Sequence, residues 1–517
     1  MDTILILDFG SQVTQLIARR LRALHYHAEI VPFNRAMDYL SPNPPLTVRE
    51  GRRGAVVIKG IILSGGPSSV YAKNGALPDS KIFELGKPIL GICYGIQVLS
   101  HMLGGTVKSG TKREYGRALL RQGFAGQTIL SRVPRESIVW MSHFDVVTKL
   151  PKGFKTLAIT STSPHAAIGD IKRNFYGVQF HLEVAHTEYG TKILENFAKI
   201  CKMRKQWTAR VALDHAIVQI PKTHPIIHAL SGGVDSTVLA LILKKSKANV
   251  KNIFIENGLL RLDEAKQVRV MLKKLGLKVN FIDASEQFLT ALKGVIDPEQ
   301  KRKIIGRIFI EVFMKHIGPK DFLSQGTLYP DVIESVKVHG PSDTIKTHHN
   351  RASEVLELIK QGRVVEPLKE LFKDEVRALG KELGLPDEAV WRHPFPGPGL
   401  GIRILGEITP ERLEILRQAD AIFIEEIKKE GHYNKISQAF AVLDTSRAVG
   451  VKGDEREYGY MILLRAITTP DFMTADWYQF PHEFLSHVSN RIVNEVTGVT
   501  RVLYDITQKP PATIEFL

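Results

Sequence analysis

Residues 88–97 read Pro-Ile-Leu-Gly-Ile-Cys-Tyr-Gly-Ile-Gln, and this stretch decides the fold of the first part of the chain. The run Pro88–Ile92 is apolar without alternation, which is typical of a strand buried on both faces of a parallel sheet. Cys93 follows directly, and the glycines at i±2 permit a sharp turn into a helical pattern that begins near Ile96. We therefore predict a strand–turn–helix unit that projects Cys93 from the sheet towards a helix N-terminus, where a thiolate is favoured.

The same pattern recurs along the chain. Short apolar runs closed by glycine or small polar residues occur at 4–7 and 60–63, and again at Ile226–Leu230 and 252–255. Such runs, alternating with helical patterns, predict α/β domains with mostly parallel sheets. Ligands of open α/β sheets bind at the carboxyl ends of the strands, so we expect the turns after Leu230 and Ile255 to contact a nucleotide.

Length and composition agree with a globular protein of several domains. The chain has 517 residues, 44% hydrophobic and 24% charged, which favours about three or four cores and excludes a disordered or coiled-coil chain. The proline-rich segment 392–399 is a natural boundary. We predict two successive, mostly parallel-sheet α/β domains, residues 1–200 and 201–395, followed by a smaller α+β domain, residues 396–517.

The net charge and the cysteine content limit the classes of partner and the cellular compartment that we expect. Lys and Arg number 70 against 54 Asp and Glu, a net charge of +16 that attracts anions such as nucleic acid or phosphorylated metabolites. The basic residues are scattered, so we do not expect a nucleic-acid partner. Cys93 and Cys201 are too few for a disulfide framework. With no basic region before the N-terminal apolar run and polar residues inside 88–103, we expect a cytoplasmic protein without signal peptide or membrane span.

The segment Tyr176–Glu183 is another apolar strand pattern, and it ends in a candidate catalytic pair. His181 and Glu183 are two residues apart, so they lie on one side of a strand. A histidine held by a carboxylate and facing the thiol of Cys93 can perform acyl transfer. The glycine turn Ser64–Pro67 is suited to present N–H groups to an oxyanion. Taken singly, each feature is equally compatible with a structural role.

Together these three motifs resemble the signatures of class I glutamine amidotransferases, over residues 1 to about 200. The resemblance implies that Cys93 attacks the carboxamide of glutamine, that His181 transfers the proton to the departing ammonia, and that Glu183 orients His181. The implied residues around the nucleophile are the oxyanion turn Gly65 and Gly66, the second oxyanion N–H at Tyr94, and the substrate contact Gln97.

Two positions depart from that family. Leu182 stands where the family usually has Pro, and Phe144 stands where it usually has Gly. Neither side chain is a reacting group. The larger Phe144 side chain is nevertheless expected to crowd the glutamine pocket.

A second constellation is the string Ser231-Gly232-Gly233-Val234-Asp235-Ser236, which follows a buried strand and opens a helix. N–H groups and hydroxyls at a helix N-terminus can surround a phosphate, although the string lacks the Gly-Lys-Ser/Thr of a Walker A loop. It resembles the PP-loop of ATP pyrophosphatases. The resemblance implies that the loop binds pyrophosphate, that Asp235 lies near Mg²⁺, and that the turn beginning at Glu256 lies by the nucleoside.

Two further polar clusters have weaker patterns. His348-His349 suggests a metal, but adjacent side chains of an ordered strand or helix point apart and no further ligand cluster accompanies them, so we expect no structural metal. Lys369 and Lys373 have the spacing to reach a phosphate from a helix. They are equally compatible with a solvated face of i,i+4 charges.

An ammonia-producing domain fused to an adenylating domain implies activation of a carbonyl oxygen by AMP, followed by displacement of AMP by ammonia. NAD, asparagine and GMP synthetases that use glutamine all fit this outline. Residues 255–261, 325–335, 392–403 and 509–515 resemble GMP synthetases, and the similarity extends essentially end to end. The implied substrates are xanthosine monophosphate, ATP and glutamine, with Mg²⁺ and no prosthetic group, and the implied products are GMP, AMP, pyrophosphate and glutamate.

The resemblance also implies four contacts to xanthosine monophosphate: Arg261, Gln438, Lys509 and Glu515. Lys509 suits a phosphate, and Glu515 can accept from base N–H groups. Two positions depart here, because the chain has Glu256 where Asp is usual and Phe516 where Trp is usual. In the family the third domain forms the dimer, so we expect a homodimer and no membrane partner.

Two other functions compete with this interpretation. An RNA-modifying PP-loop enzyme would suit the net charge of +16, but it does not explain Cys93 together with His181 and Glu183. The second is a regulatory protein that keeps both sites only as sensors. Such a protein would not need the nucleophile, the base and the complete phosphate-binding loop at the same time.

Overall fold

The computed structural model describes residues 1–11, 13–41, 56–72, 75–124, 126–329, 353–452, 455–469, 472 and 474–517. These residues divide into two compact units, one ending at His215 and one beginning at Ala216. Residues 330–335 of the motif 325–335, and the pair His348-His349, lie outside the described residues. The domain boundaries near 200 and 395 stay predictions.

The first unit is built on one large sheet. Its strands are β1 (Asp2–Asp8), β2 (His27–Pro32), β3 (Val57–Leu63), β4 (Ile89–Ile92), β5 (Thr106–Gln122), β6 (Glu136–Lys149), β7 (Lys155–Ile159), β8 (Ala167–Asp170) and β9 (Phe175–Val178). Its helices are α1 (Thr14–Ala23), α2 (Ala36–Leu40), α3 (Tyr94–Met102) and α4 (Gly190–Ile200), with short 3₁₀ turns at Phe33–Arg35 and Ser80–Glu84. Helix α5 (Ala209–Val218) spans the division between the units.

Nine strands form this sheet in the order β2-β1-β3-β4-β9-β8-β7-β5-β6. The half from β2 to β9 is parallel, and the half from β9 to β6 is antiparallel. All residues of β1 and β4 are buried, which is why the centre of β1, residues 4–7, and all of β4 are apolar without alternation. The parallel half ends in the turns that carry Ser64 and Cys93.

The second unit begins with a parallel sheet. Its strands are β10 (Ile226–Leu230), β11 (Val250–Glu256), β12 (Val279–Asp283), β13 (Phe322–Ser324) and β14 (Val364–Val365), and its helices are α6 (Val234–Lys245), α7 (Glu264–Lys274), α8 (Ser285–Ala291), α9 (Pro298–Met314), α10 (Ser353–Lys360), α11 (Lys373–Glu382) and α12 (Asp387–Val390). The strand order is β12-β11-β10-β13-β14, and every pair is parallel.

A smaller α+β region completes the second unit. It consists of β15 (Ile404–Leu405), β16 (Gln438–Lys452), β17 (Glu455–Thr468), β18 (Asp476–Trp477) and β19 (Val499–Tyr504), helices α13 (Pro410–Lys429) and α14 (His482–Glu495), and 3₁₀ turns at Gly399–Arg403 and Tyr433–Lys435. The sheet order is β15-β16-β17-β18, with β19 beside β17. One hydrophobic cluster, including Ile255, Ile305, Leu416 and Ile462, joins this region to the parallel sheet.

The architecture confirms the predicted fold class of α/β regions followed by a smaller α+β region. It also shows a feature that the prediction lacks, because half of the first sheet is antiparallel. Among the described residues, we find no helix with the length and apolar character required to cross a bilayer.

Candidate active sites

Cys93 occupies a strained turn between β4 and α3. Its φ is 52° and its ψ is −105°, a backbone conformation that a non-glycine residue adopts only when its surroundings enforce it. A Cβ on Gly95 would lie 2.1 Å from the carbonyl oxygen of Leu63, and one on Gly91 would lie 2.4 Å from that of Gly95. Glycine is therefore required on both sides of Cys93, and the helix begins at Tyr94, slightly earlier than the predicted start near Ile96.

The structure brings Cys93, His181 and Glu183 together. His181 Nδ1 lies 2.7 Å from Glu183 Oε1, and the Glu183 carboxylate is wholly buried. Burial alone would lower the pKa of His181, but hydrogen bonds to Cys93 and Glu183, together with their charges, raise it to about 11. The histidine is thus an imidazolium at neutral pH.

The local backbone around His181 differs from the prediction. Strand β9 ends at Val178, so the period of two along a strand does not place His181 and Glu183. Instead, the His181 N–H donates to the Trp140 carbonyl (3.0 Å), and Arg20 Nε donates to the Glu183 carbonyl (2.7 Å). Contacts from β6 and α1 therefore position this pair.

The predicted oxyanion groups lie close to the same residues. A Cβ on Gly65 would lie 3.3 Å from His181 Cε1, and one on Gly66 would lie 2.8 Å from the Phe9 carbonyl oxygen. Tyr94 is the first residue of α3, so its N–H has no partner within the helix. The oxyanion roles of Gly66 and Tyr94 stay predictions.

Strand β6 contacts the helix that follows Cys93. Cys93 Sγ lies 3.6 Å from the Ser142 carbonyl oxygen, and Gln97 Nε2 donates to the Asp145 carbonyl (2.9 Å). Of the two departures from the family, Leu182 is fully buried, whereas Phe144 is 42% exposed.

The loop Ser231–Ser236 connects β10 to α6, as predicted. Its hydroxyl groups bond within the loop: Ser231 Oγ and Ser236 Oγ lie 3.0 Å apart, and Ser236 Oγ donates to the Gly233 carbonyl (3.1 Å). Gly232 has a φ of +76°, and Gly233 caps α6. Val234, Asp235 and Ser236 form the first turn of that helix, where N–H groups and the helix dipole favour an anion.

The carboxylate of Asp235 pairs with Lys373, the first residue of α11. Its other oxygen, Oδ1, is buried without a hydrogen-bond partner. Lys369 lies in a turn before α11, so the expectation that Lys369 and Lys373 share one helix is wrong. The i,i+4 spacing of the two lysines suggested a shared helix, but the helix begins only at Lys373.

His228 of β10 holds the first turn of helix α6 through hydrogen bonds. His228 Nε2 donates to the Ser236 carbonyl (2.9 Å), and Nδ1 accepts from Ser324 Oγ (2.8 Å). Burial lowers the pKa of His228 to about 4. The ring is therefore neutral and holds the loop in place through hydrogen bonds alone.

The predicted nucleoside turn follows β11, whose last residue is Glu256. Gly258 has a φ of +72°, which permits the reversal after the strand. Arg417 of α13 donates to the carbonyls of Gly258 (2.6 Å) and Leu260 (3.0 Å). The turn is thus supported by the smaller α+β region.

Three of the four predicted nucleotide contacts belong to one cluster. Gln438 Nε2 donates to Glu515 Oε1 (2.6 Å), and the buried Arg403 binds both Glu515 oxygens (3.0 and 2.8 Å). The guanidinium groups of Arg261 and Arg403 both lie over the Phe395 ring, at 5.1 and 5.3 Å from its centre.

Asp420 of α13 completes this cluster. Its Oδ2 lies 3.0 Å from Arg261 Nε, so each of the two arginines has a carboxylate partner. Arg403, Asp420 and Phe395 were not identified as functional residues from the sequence. Arg403 and Glu515 are 112 positions apart, and a pair so distant leaves no pattern in the local sequence. Only the unusual string 392–403 indicated that the segment containing Arg403 was of interest.

Lys509 lies in a separate groove. Its Nζ donates to the Phe472 carbonyl (2.8 Å). The groove has a volume of about 480 Å³ and is lined by Lys435, Ser437, Thr468, Thr469, Thr474, Ala475, Asp476, Gln508, Lys509 and Pro510. Two lysines and several hydroxyls suit a phosphate group, so the lining is consistent with the expected role of Lys509.

Comparisons with known proteins find family matches at both ends of the chain. Residues 5–201 match the glutamine amidotransferase class-I family, and residues 425–516 match the GMP synthase C-terminal domain. The protein named GMP synthase [glutamine-hydrolyzing] from Eremothecium gossypii is 52% identical over 100% of this chain and 98% of its own length. The chain belongs to this family.

Proteins of the same name from distant organisms are equally similar. The Saccharomyces cerevisiae protein is 51% identical over 100% of this chain and 98% of its own length. The Aquifex aeolicus protein is 50% identical over 99% of each chain. The chain is thus an enzyme, a ligase of the glutamine-hydrolysing GMP synthase family, and the RNA-modifying alternative has no support.

Proposed function

We propose that the first unit hydrolyses glutamine at Cys93 and supplies ammonia for GMP synthesis. The thiolate attacks the side-chain carbonyl carbon, and the N–H groups of Gly66 and Tyr94 donate hydrogen bonds to the oxyanion that forms. His181, held by Glu183, gives its proton to the departing nitrogen, so ammonia leaves and a thioester remains. Water then cleaves the thioester and releases glutamate. The contact of His181 with Cys93 on one side and with the Glu183 carboxylate, 2.7 Å from Nδ1, on the other carries this proposal.

We propose that the second unit uses ATP to activate xanthosine monophosphate. The base oxygen at C2 attacks the α-phosphorus of ATP, and pyrophosphate leaves from the loop Ser231–Ser236. Ammonia then displaces AMP from C2 and leaves the amino group of GMP. The donors at the start of α6 and the cation Lys373 support the loop as the pyrophosphate site.

The residues at the loop fit Mg²⁺. Asp235 Oδ1 is buried without a hydrogen-bond partner, and Mg²⁺ commonly takes one or two carboxylates together with substrate phosphates. Asp235 would hold the ion, which would neutralise phosphate charge during adenylyl transfer. Within the described ranges, no cluster of three or more His, Cys, Asp or Glu side chains could hold a metal without substrate.

The cluster of Arg261, Gln438 and Glu515 is proposed to recognise the base and ribose of xanthosine monophosphate. Glu515 is fixed by Arg403 and Gln438, so its carboxylate has a defined orientation towards base N–H groups. Lys509, with Lys435 in the same groove, is proposed to bind the phosphate.

The test follows the ultraviolet change from xanthine to guanine base, with purified protein, xanthosine monophosphate, ATP and Mg²⁺. Glutamine and ammonium are supplied in parallel. Conversion with both nitrogen sources is expected. Conversion with ammonium alone would refute the glutamine chemistry and direct attention to Phe144 and Leu182, and no conversion with either would refute the nucleotide assignment.

We further propose a cytoplasmic homodimer. Both cysteines are unpaired, which suits a reducing compartment. The β16–β17 hairpin exposes Val451 (78%) and Tyr458 (63%), apolar surface that a second copy would cover. Light scattering at micromolar concentration should give twice the mass of the chain, and a monomeric mass would contradict the dimer.

A further inference from the structure

A second buried histidine–carboxylate pair lies on the β5–β6 hairpin, and the chemistry above gives it no role. Glu114 of β5 stands opposite His143 of β6 in the antiparallel register. His143 Nε2 lies 3.1 Å from Glu114 Oε2, and the two side chains are only 3% and 12% exposed. Burying such a pair requires that its polar atoms be well satisfied.

His143 and Glu114 both have further hydrogen-bond partners that hold the pair in place. Nδ1 lies 3.2 Å from the Asp145 carbonyl oxygen, which can only accept. Glu114 accepts further bonds from Thr160 (3.3 Å) and Thr162; burial acts to raise the pKa of Glu114, but the bonds from His143 and Thr162 lower it overall. Both ring nitrogens of His143 thus have hydrogen-bond partners, the Asp145 carbonyl on one side and the Glu114 carboxylate on the other.

His143 lies between the two residues of β6 that contact Cys93 and the helix after it. Cys93 Sγ contacts the Ser142 carbonyl (3.6 Å). Gln97 Nε2 donates to the Asp145 carbonyl (2.9 Å), the oxygen that His143 Nδ1 also binds. Because Cys93 and Gln97 are about one helical turn apart, a shift of His143 would change both contacts together.

We propose that Glu114 and His143 are a positioning pair for glutamine hydrolysis. His143, bound to Glu114 and to the Asp145 carbonyl, holds residues 142–145 of β6, so that the Ser142 carbonyl faces the thiol of Cys93 and Gln97 keeps its orientation. Neither side chain contacts the reacting atoms. The inference rests on the proposed glutamine chemistry at Cys93.

The experiment measures steady-state kinetics of Glu114→Gln, His143→Asn and the double variant, with glutamine and with ammonium. Each single variant should lose about 10- to 100-fold in kcat/KM for glutamine, mostly in kcat, because small displacements of a nucleophile slow the chemical step. The double variant should lose no more than the worse single variant, because the residues act as one unit. Rates with ammonium should stay within about twofold of wild type.

The matched control is Glu136→Gln on the same hairpin. Glu136 pairs with Arg121 at 3.1 Å, but both side chains are more than half exposed, so this variant should behave as wild type. Glutamine kinetics of Glu114→Gln equal to wild type, a parallel loss with ammonium, or additive losses in the double variant would each overturn the inference. A wild-type enzyme that uses ammonium but not glutamine would refute the proposed glutamine chemistry itself.

Discussion

The turns at Cys93 and at Ser231 both join a buried parallel strand to a helix, but they are completed in different ways. At Cys93 the backbone is strained, and a Cβ on Gly95 would lie 2.1 Å from a carbonyl oxygen. His181 is already in contact with both Glu183 and the thiol. At Ser231 the helix cap Gly233 has an ordinary φ of −74°, and the hydroxyl groups bond one another.

The difference follows from what each site must do. A nucleophile reacts through one atom, so its position and protonation state must be fixed before the substrate arrives. A phosphate is bound by several donors, which can exchange hydrogen bonds within the loop for bonds to the ligand. We therefore expect the Cys93 turn to be sensitive to small changes and the Ser231 loop to tolerate them.

The largest expected effect is the separation of the two sites by Cys93→Ala. The variant should lose at least about 1,000-fold in glutamine-dependent activity, because no other group replaces the nucleophile. It should keep the ammonium-dependent rate. Parallel assays with both nitrogen sources check this, and residual glutamine use near the wild-type rate would contradict the role of Cys93.

The variants Gly95→Ala and Gly233→Ala test the difference in the space available to a Cβ at the two turns. Gly95→Ala should lower the free energy of unfolding by about 3 kcal/mol, because backbone atoms cannot yield to the new Cβ. Gly233→Ala should change it by less than about 1 kcal/mol, since its Cβ would meet only Ser231 Oγ, at 3.3 Å. Thermal or chemical unfolding of both variants provides the measurement; equal destabilisation would remove the contrast.

Asp235→Ala should affect both nitrogen sources alike. Loss of the carboxylate that pairs with Lys373 should lower both rates by about 100-fold through weaker stabilisation of phosphate charge. The assay compares kcat with glutamine and with ammonium at saturating ATP. A fall with glutamine alone would place Asp235 outside the adenylation step.

The smallest expected effect is a pH dependence that distinguishes His181 from His228. The pKa of His181 is raised from 6.5 to about 11, so its stabilisation is complete below about pH 6.5 and is lost as pH rises towards 11. The difference in melting temperature between wild type and His181→Gln should therefore shrink from pH 6.5 to about pH 9.5.

His228 provides the matched comparison. Burial lowers its pKa from 6.5 to about 4, so it binds no proton in either state above about pH 7. The difference between wild type and His228→Asn should stay constant from about pH 7.5 to about pH 9.5. A shrinking difference for His228→Asn would contradict its neutral state.

Local patterns predicted the strand–turn–helix units well. The strands before Cys93 and Ser231, and the motifs that follow them, depend on apolar runs and glycine spacing that can be read within about ten residues. Patterns that depend on distant partners were not predictable. The antiparallel hairpin β5–β6 carries the Glu114–His143 pair, and these residues are 29 positions apart.

In the candidate nucleotide site, too, local motifs were predictable and distant partners were not. The sequence motifs indicated Arg261, Gln438 and Glu515, but not Arg403, whose buried side chain holds Glu515 from 112 positions away. The positions of His181 and Glu183 were predicted from strand periodicity, yet irregular backbone and contacts from β6 place them. A resemblance transfers the residues, whereas only the folded chain shows what holds each one.

Of the two cysteines, only Cys93 is expected to react with a small reagent. Cys201 is buried against Gly60 and helix α4, and burial raises the pKa of its thiol, so it stays an unreactive thiol. Cys93 faces an imidazolium instead. A small alkylating reagent should therefore add to the native protein once, and a fluorophore or an affinity tag carried by that reagent would report on the glutamine site without any engineered residue.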